Sequence, residues 1–252
     1  MTIIDRTTET TRVPTDSLRK TAFVAGALYV ITFAASIPAA LVLLRPVLDN
    51  PDFILGAGSA TGVLWGVLLD LITALAGVGT AVVLFPVVRR QSEAAALGFV
   101  TTRVLEAATI LVGLVSLLAV VTLRQDLAGA TGADAASLVT TGHALVAIRD
   151  WTFLFGPGVM AGMNALLLGS LMFRSGLVPR IIPLIGLIGA PLLLASTIGT
   201  LFGFFDQLSP IASLLVAPIF VWELSLGVWL VVKGFKPSPI TAGMTSAGTP
   251  SA

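Results

Sequence analysis

Six long apolar blocks run along the chain, separated by short segments that hold most of the charge and the turn-forming residues. They fall at about residues 21–44, 61–88, 94–123, 143–172, 180–203 and 211–233. Each is long enough to supply the roughly 20 helical residues that cross the hydrocarbon core of a bilayer. Backbone groups find no water there, so a spanning segment is either a helix or one strand of a closed barrel. A barrel strand alternates apolar and polar positions over about ten residues. Leu41 to Leu44, Ile110 to Val115 and Leu192 to Ala195 are instead continuously apolar. The pattern therefore predicts an all-α fold, a polytopic integral membrane bundle of about six transmembrane helices, with Pro38 expected to kink the first.

Composition agrees with this reading and removes the soluble alternative. The 252 residues are 56% hydrophobic and 11% charged, with a mean hydropathy of +1.01. A soluble domain carries about 25% charged residues to face water. Residues 1–20 are Thr-rich and charged, without hydrophobic periodicity, and are expected to form a disordered cytoplasmic tail. Residues 21–235 make up the transmembrane domain. Residues 236–252, rich in Pro, Ser, Thr and Gly, are expected to form a second disordered cytoplasmic tail that buries nothing. The first apolar block exceeds the core of a signal peptide and lacks a clear small-residue cleavage site, so it is read as a retained helix. The connection at 45–60 holds Pro46, Asn50, Pro51 and Gly56, all turn chemistry. The one at 124–141 is rich in Gly and Ala, with Asp134 suited to cap a short helix.

The basic residues set an orientation, because cytoplasmic loops retain Lys and Arg in excess. Arg6, Arg12, Arg19, Lys20, Arg89, Arg90, Arg174, Arg180, Lys233 and Lys236 fall on one side, and only Arg45 and Arg124 on the other. Both termini are expected in the cytoplasm of a cell whose inner (plasma) membrane the chain spans. A net charge of +1 without a basic stripe gives no reason to expect nucleic acid as a partner. The expected partners are the lipid bilayer and a small ligand or ion. The small-residue spacings Gly62 to Gly66 and Gly158 to Gly162 favour helix packing within the chain over dimerisation, and leave the oligomeric state open.

Several chemistries lack their residues. With no cysteine there is neither a disulfide framework nor a thiolate nucleophile or ligand. The one histidine, His143, sits at the edge of the fourth block and would need carboxylate partners to hold a metal, so no metal site is assigned. Zinc-helix, nucleophile-elbow, phosphate-loop and dinucleotide patterns are absent, so no catalytic residue and no cofactor are assigned and a non-enzyme is favoured.

The informative residues are six ionisable groups inside the apolar blocks: Asp70, Arg103, Glu106, Arg149, Asp150 and Glu223. A charge at the bilayer centre costs about 2.5 to 3.5 kcal/mol even on lenient scales, so these should face one another or a wet cavity. Gly62, Gly66, Asp70, Thr73, Gly77 and Thr80 recur at three or four residues and form a small, polar stripe, a packing seam. Arg103 and Glu106, three apart, are placed to pair or to share a partner. Asp150 is expected on one face with Pro157, Ala161 and Asn164, while Arg149 points about 100° away, toward a different partner. Trp151 beside them suits the interfacial belt. Glu223 lies near mid-membrane without a basic neighbour on its own helix. Four acids face two arginines, so a full set of charges sums to minus two, to be balanced by protons on one or two of Asp70, Glu106 and Glu223 or by a bound cation. With Asn164 these six are the candidates for holding a ligand or ion. The expected function is to bind or move a small cation, proton or ligand; the alternatives are a structural or partner-binding role in which the charges only specify helix packing, and, third, an integral membrane enzyme.

One combination is familiar: Leu48-Asp49-Asn50-Pro51-Asp52, Leu84-Phe85-Pro86-Val87, Arg103 with Glu106, Arg149-Asp150-Trp151-Thr152-Phe153-Leu154 ahead of Gly156-Pro157, and Trp229 through Phe235. Over about residues 20–238 the chain resembles the bacterial membrane proteins grouped as domain of unknown function 4386. The resemblance implies a six-helix inner-membrane protein with no assigned activity, and carries over no catalytic residue.

Overall fold

The structure, a computed structural model, describes residues 15–242. Its helices are α1 (Thr15–Pro38), α2 (Arg45–Leu48), α3 (Ala60–Val88), α4 (Glu93–Asp126), α5 (Ala133–Phe153), α6 (Ala161–Ser175), α7 (Ile181–Leu201) and α8 (Pro210–Val232). Five-residue and seven-residue π turns, Ala39–Leu43 and Leu154–Met160, prolong α1 and join α5 to α6. Six of the resulting helical stretches are long and apolar enough to cross a membrane. The chain is thus an all-α, multi-pass membrane bundle, as the apolar blocks predict.

Each spanning stretch packs on the next, and α8 returns to α1, so the six form a closed ring. Its outer surface is apolar, as lipid requires: Leu75, Val115 and Leu214 all point outward. Buried apolar residues gather in two clusters. One fills the half of the ring nearest the ends of the chain, around Tyr29, Leu84, Phe99, Leu168 and Trp222. The other, around Leu44, Phe53, Val63 and Leu117 in the opposite half, draws on α3, α4 and α5 but on neither α7 nor α8. Between them the polar residues collect.

Small residues set the crossing of α1 and α8. A Cβ on Gly26 of α1 would lie 2.6 Å from the carbonyl oxygen of Gly227 on α8, so the two backbones touch at a point only glycine permits. Serine side chains cap three helices: Ser59, Ser92 and Ser209 accept from the backbone N–H of Gly62, Ala95 and Ala212.

Several boundaries differ from expectation. The helix at α5 begins at Ala133, ten residues before the expected edge, because the Ala-rich connection is itself helical. Asp134 lies in its first turn, and Gly132 occupies the cap. His143 is therefore well inside the helix, on an exposed face. Pro38 is followed at once by the π turn 39–43 rather than by a simple kink. Of the tail expected over 1–20, residues 1–14 lie outside the described residues, and α1 already begins at Thr15. In the other expected tail, 243–252 lie outside them, whereas 236–242 dock against the bundle. The Lys236 N–H donates to Leu177 O at 2.7 Å, and Ser238 and Thr241 are buried. A polar composition left this invisible because the docking rests on backbone and hydroxyl hydrogen bonds with a single apolar side chain, Ile240, packed on the bundle.

Candidate functional site

Regular helix geometry places Arg103 and Glu106 on one face of α4, one turn apart. Arg103 is buried and serves as the hub. Its Nη1 donates to Glu106 Oε2 at 3.0 Å, and its Nη2 donates to Glu223 Oε1 on α8 at 2.6 Å and to the Tyr29 hydroxyl on α1 at 3.4 Å. The guanidinium also lies over the rings of Tyr29 and Phe99. On the far side of Glu106, Asn164 of α6 donates from Nδ2 to Oε2 at 2.6 Å and accepts from the Thr102 hydroxyl. One arginine thus ties α1, α4 and α8 together, and Glu106 passes the connection to α6. Arg103 Nε is buried and has no acceptor among the described residues.

A second polar group stands on α3 and α5. Arg149 is buried with its guanidinium over the Phe153 ring, 4.4 Å from the centroid, and its Nη1 lies 3.5 Å from Asp150 Oδ1. This corrects the expectation that the two neighbours take different partners: an arginine side chain is long enough to curl back to the adjacent carboxylate. The expectation that Asp150 shares a face with Pro157, Ala161 and Asn164 also fails. Counting 100° per residue holds only in an α-helix, and the π turn Leu154–Met160 inserts a wider turn that breaks the register. Asp150 is exposed, whereas Asn164 is fully buried beside Glu106. Asp70, across from Arg149, makes no hydrogen bond or ion pair with any described residue, although Arg149 is near enough to be felt electrostatically.

Both groups border one cavity of about 610 Å³ enclosed by α1, α3, α4, α5, the second π turn, α7 and α8. Asp70, Arg103, Glu106, Arg149 and Glu223 all line it, so five of the six predicted charges converge from four helices on one space. Most of the remaining lining is apolar or small. Three residues of the predicted seam, Asp70, Thr73 and Gly77, form part of this wall, while Gly66 of the same stripe packs on Leu44. The other small-residue pair serves packing within the chain: added Cβ atoms at Gly158 and Gly162 would meet Thr197 and Leu194 of α7.

Two elements of the site escaped the sequence reading. Tyr29 is the only tyrosine in the chain. A hydroxyl in the middle of an apolar span needs a partner, and that was the available signal. Phe33 and Phe220, edge to face at 4.7 Å between α1 and α8, offered none, since aromatic residues on lipid-facing helices are ordinary. Among the described residues no group of three His, Asp or Glu side chains is placed to hold a metal ion.

A family model described as Domain of unknown function (DUF4386) matches residues 24–234. The chain belongs to this family. No curated protein and no solved structure matches it. The region shared with DUF4386 takes in all of the Arg103 network, from Tyr29 to Glu223, together with Asp70 and Arg149, and ends before the docked segment 236–242. In this DUF4386 chain the polar interior therefore belongs to the matched domain itself and not to an addition at either end.

Proposed function

We propose that this protein binds a small ligand inside the membrane, in the cavity above Arg103, Glu106 and Glu223, as a receptor or carrier. The observation that carries the reading is the convergence of five charged side chains on one space of about 610 Å³. Ligand sites typically occupy about 300–1,000 Å³, mostly apolar with a few convergent polar groups. A bare divalent ion is the weaker candidate, because it asks for six or more oxygens at close range, and the nearest carboxylates are already engaged by Arg103. The orientation that goes with this reading puts both termini in the cytoplasm of a bacterial inner membrane. The ten basic residues on the termini side favour it. The two on the other side are held locally: Arg45 by Asp49, and Arg124 by the carbonyls of Phe53, Gly56, Ala57 and Gly58.

A second reading, in which the charges only fix helix register, draws on the Arg103 hub, whose two acids are both paired. The two readings separate in a nanodisc experiment. The protein is screened by thermal unfolding against organic cations, anions and neutral compounds. The ligand reading expects at least one class to raise Tm saturably, with weaker binding in Glu223→Gln. A flat response across all classes leaves only the packing role.

A further inference from the structure

The cavity has one wall unlike the rest. Ile37 and Leu41 of the α1 stretch and Phe220 and Val221 of α8 line it and are 40%, 60%, 42% and 50% exposed, unlike the buried residues around them. The cavity is open rather than sealed, and these four mark where it reaches the surface between α1 and α8, within stretches apolar enough to cross a membrane. The packing explains the gap. The two backbones are pinned at Gly26 and Gly227, on the termini side of Tyr29 and Glu223, and on the other side of those residues the contact is made by side chains. The apolar cluster of the opposite half, which would otherwise hold α8 in, contains no α7 or α8 residue. Phe33 and Phe220, meeting at 4.7 Å, bridge the seam.

Charge defines what such a space would take. Arg103 is shared by two carboxylates and Arg149 is paired with Asp150, while Asp70 has no ion-pair partner among the described residues. The cavity therefore offers an occupant a carboxylate that is in no ion pair, its nearest cation, Arg149, being in contact with Asp150 instead, in a largely apolar space.

Resting on the ligand reading above, we infer that the cavity takes a lipid-soluble amine, which enters from the bilayer between α1 and α8 and sets its ammonium group against Asp70. The amine supplies the missing positive charge and its apolar body covers the Ile37, Leu41 and Val221 side. Membrane partitioning concentrates such a ligand at the seam.

Three compounds of one shape test this on the full-length protein in nanodiscs: adamantan-1-amine, adamantan-1-ol and adamantane-1-carboxylate. The amine is expected to bind best, and Asp70→Asn to weaken it roughly tenfold or more, as loss of a charge-assisted contact would. Binding of the alcohol by Asp70→Asn, at wild-type strength, shows that the variant is folded with its cavity intact. In Phe33→Ala/Phe220→Ala the association rate of the amine should rise several-fold. Failure of the amine to bind overturns the inference, and the broader reading then stands or falls on its own screen. Equal binding of amine and carboxylate, or an Asp70→Asn variant that holds the amine as well as wild type, removes the Asp70 assignment. An unchanged association rate removes the route between α1 and α8.

Discussion

The floor of the cavity and its α3–α5 wall use the same residue types to different ends. On the floor, Arg103 contacts Glu106 and Glu223 at 3.0 and 2.6 Å, and Asn164 fills a further position on Glu106. On the wall, Arg149 reaches only its neighbour Asp150, at 3.5 Å, and Asp70 is left over. The difference follows from the helices that carry the groups. The floor stands on regular α-helix, where a spacing of three brings side chains together, and on a crossing that glycines hold tight. The wall stands beside the π turn Leu154–Met160, where Asp150 is turned out of the cavity. A closed set of buried ion pairs specifies packing, and an open one keeps a charge available.

The largest effect that would break this comparison is expected at the hub. Arg103→Met removes the buried cation that two partly buried carboxylates share, and taking one partner from a buried pair costs about 3–5 kcal/mol. The single variant should unfold far below the wild type in one detergent, or fail to accumulate in the membrane. The triple variant Arg103→Met/Glu106→Gln/Glu223→Gln leaves no stranded charge and should recover most of that loss. Recovery would establish the floor as a packing device. A triple variant as unstable as the single would mean that the ionic contacts themselves hold α1, α4 and α8 together.

A smaller loss is expected at the crossing. Gly26→Ala adds a Cβ that would sit 2.6 Å from Gly227 O and 2.7 Å from Val231 N, both backbone atoms that cannot swing aside. Overpacking of this kind costs about 1–3 kcal/mol. Because the crossing lies just below Tyr29 and Glu223, the shift should also loosen the floor. A double-mutant cycle of Gly26→Ala with Glu223→Gln measures this: the two losses should add to more than the double variant shows. Strict additivity would mean that the crossing and the floor are independent.

The fold was legible in the sequence because the bilayer leaves few choices: continuous apolar blocks of this length have to be helices, and all six appear as helical stretches. The floor was legible in part. The spacing of Arg103 and Glu106 on one helix could be read directly, and Glu223 announced itself as a charge without a local partner. Which arginine it meets depends on how α8 returns to α1, and that rests on a glycine contact between residues about 200 apart in the chain. Asp150 was misread because a π turn leaves no unambiguous mark in sequence; Pro157 signals a disturbance but not its register. The docking of 236–242 was hidden for a different reason, since backbone and hydroxyl hydrogen bonds with one apolar side chain, Ile240, leave no periodic pattern to read.

The smallest effect is the one that sharpens the comparison most. Asp70→Asn keeps the shape of the side chain and removes its charge. Were Asp70 part of a closed network like the floor, this change would strand a partner and cost stability, as Glu223→Gln is expected to do by about 1.5–3 kcal/mol through a lost hydrogen bond to a charged group. Asp70 has no hydrogen-bonded partner to strand, and Arg149, which feels its charge across the cavity, keeps its contact with Asp150 in the variant. A carboxylate within the bilayer is costly to keep. Asp70→Asn should therefore be as stable as the parent or more so, by up to about 1 kcal/mol, within the range of substitutions that break no contact. Reversible unfolding of both variants in the same mixed micelles makes the comparison direct. A loss at Asp70 equal to that at Glu223 would show that the wall is as closed as the floor, and that the cavity has no spare charge to offer a ligand.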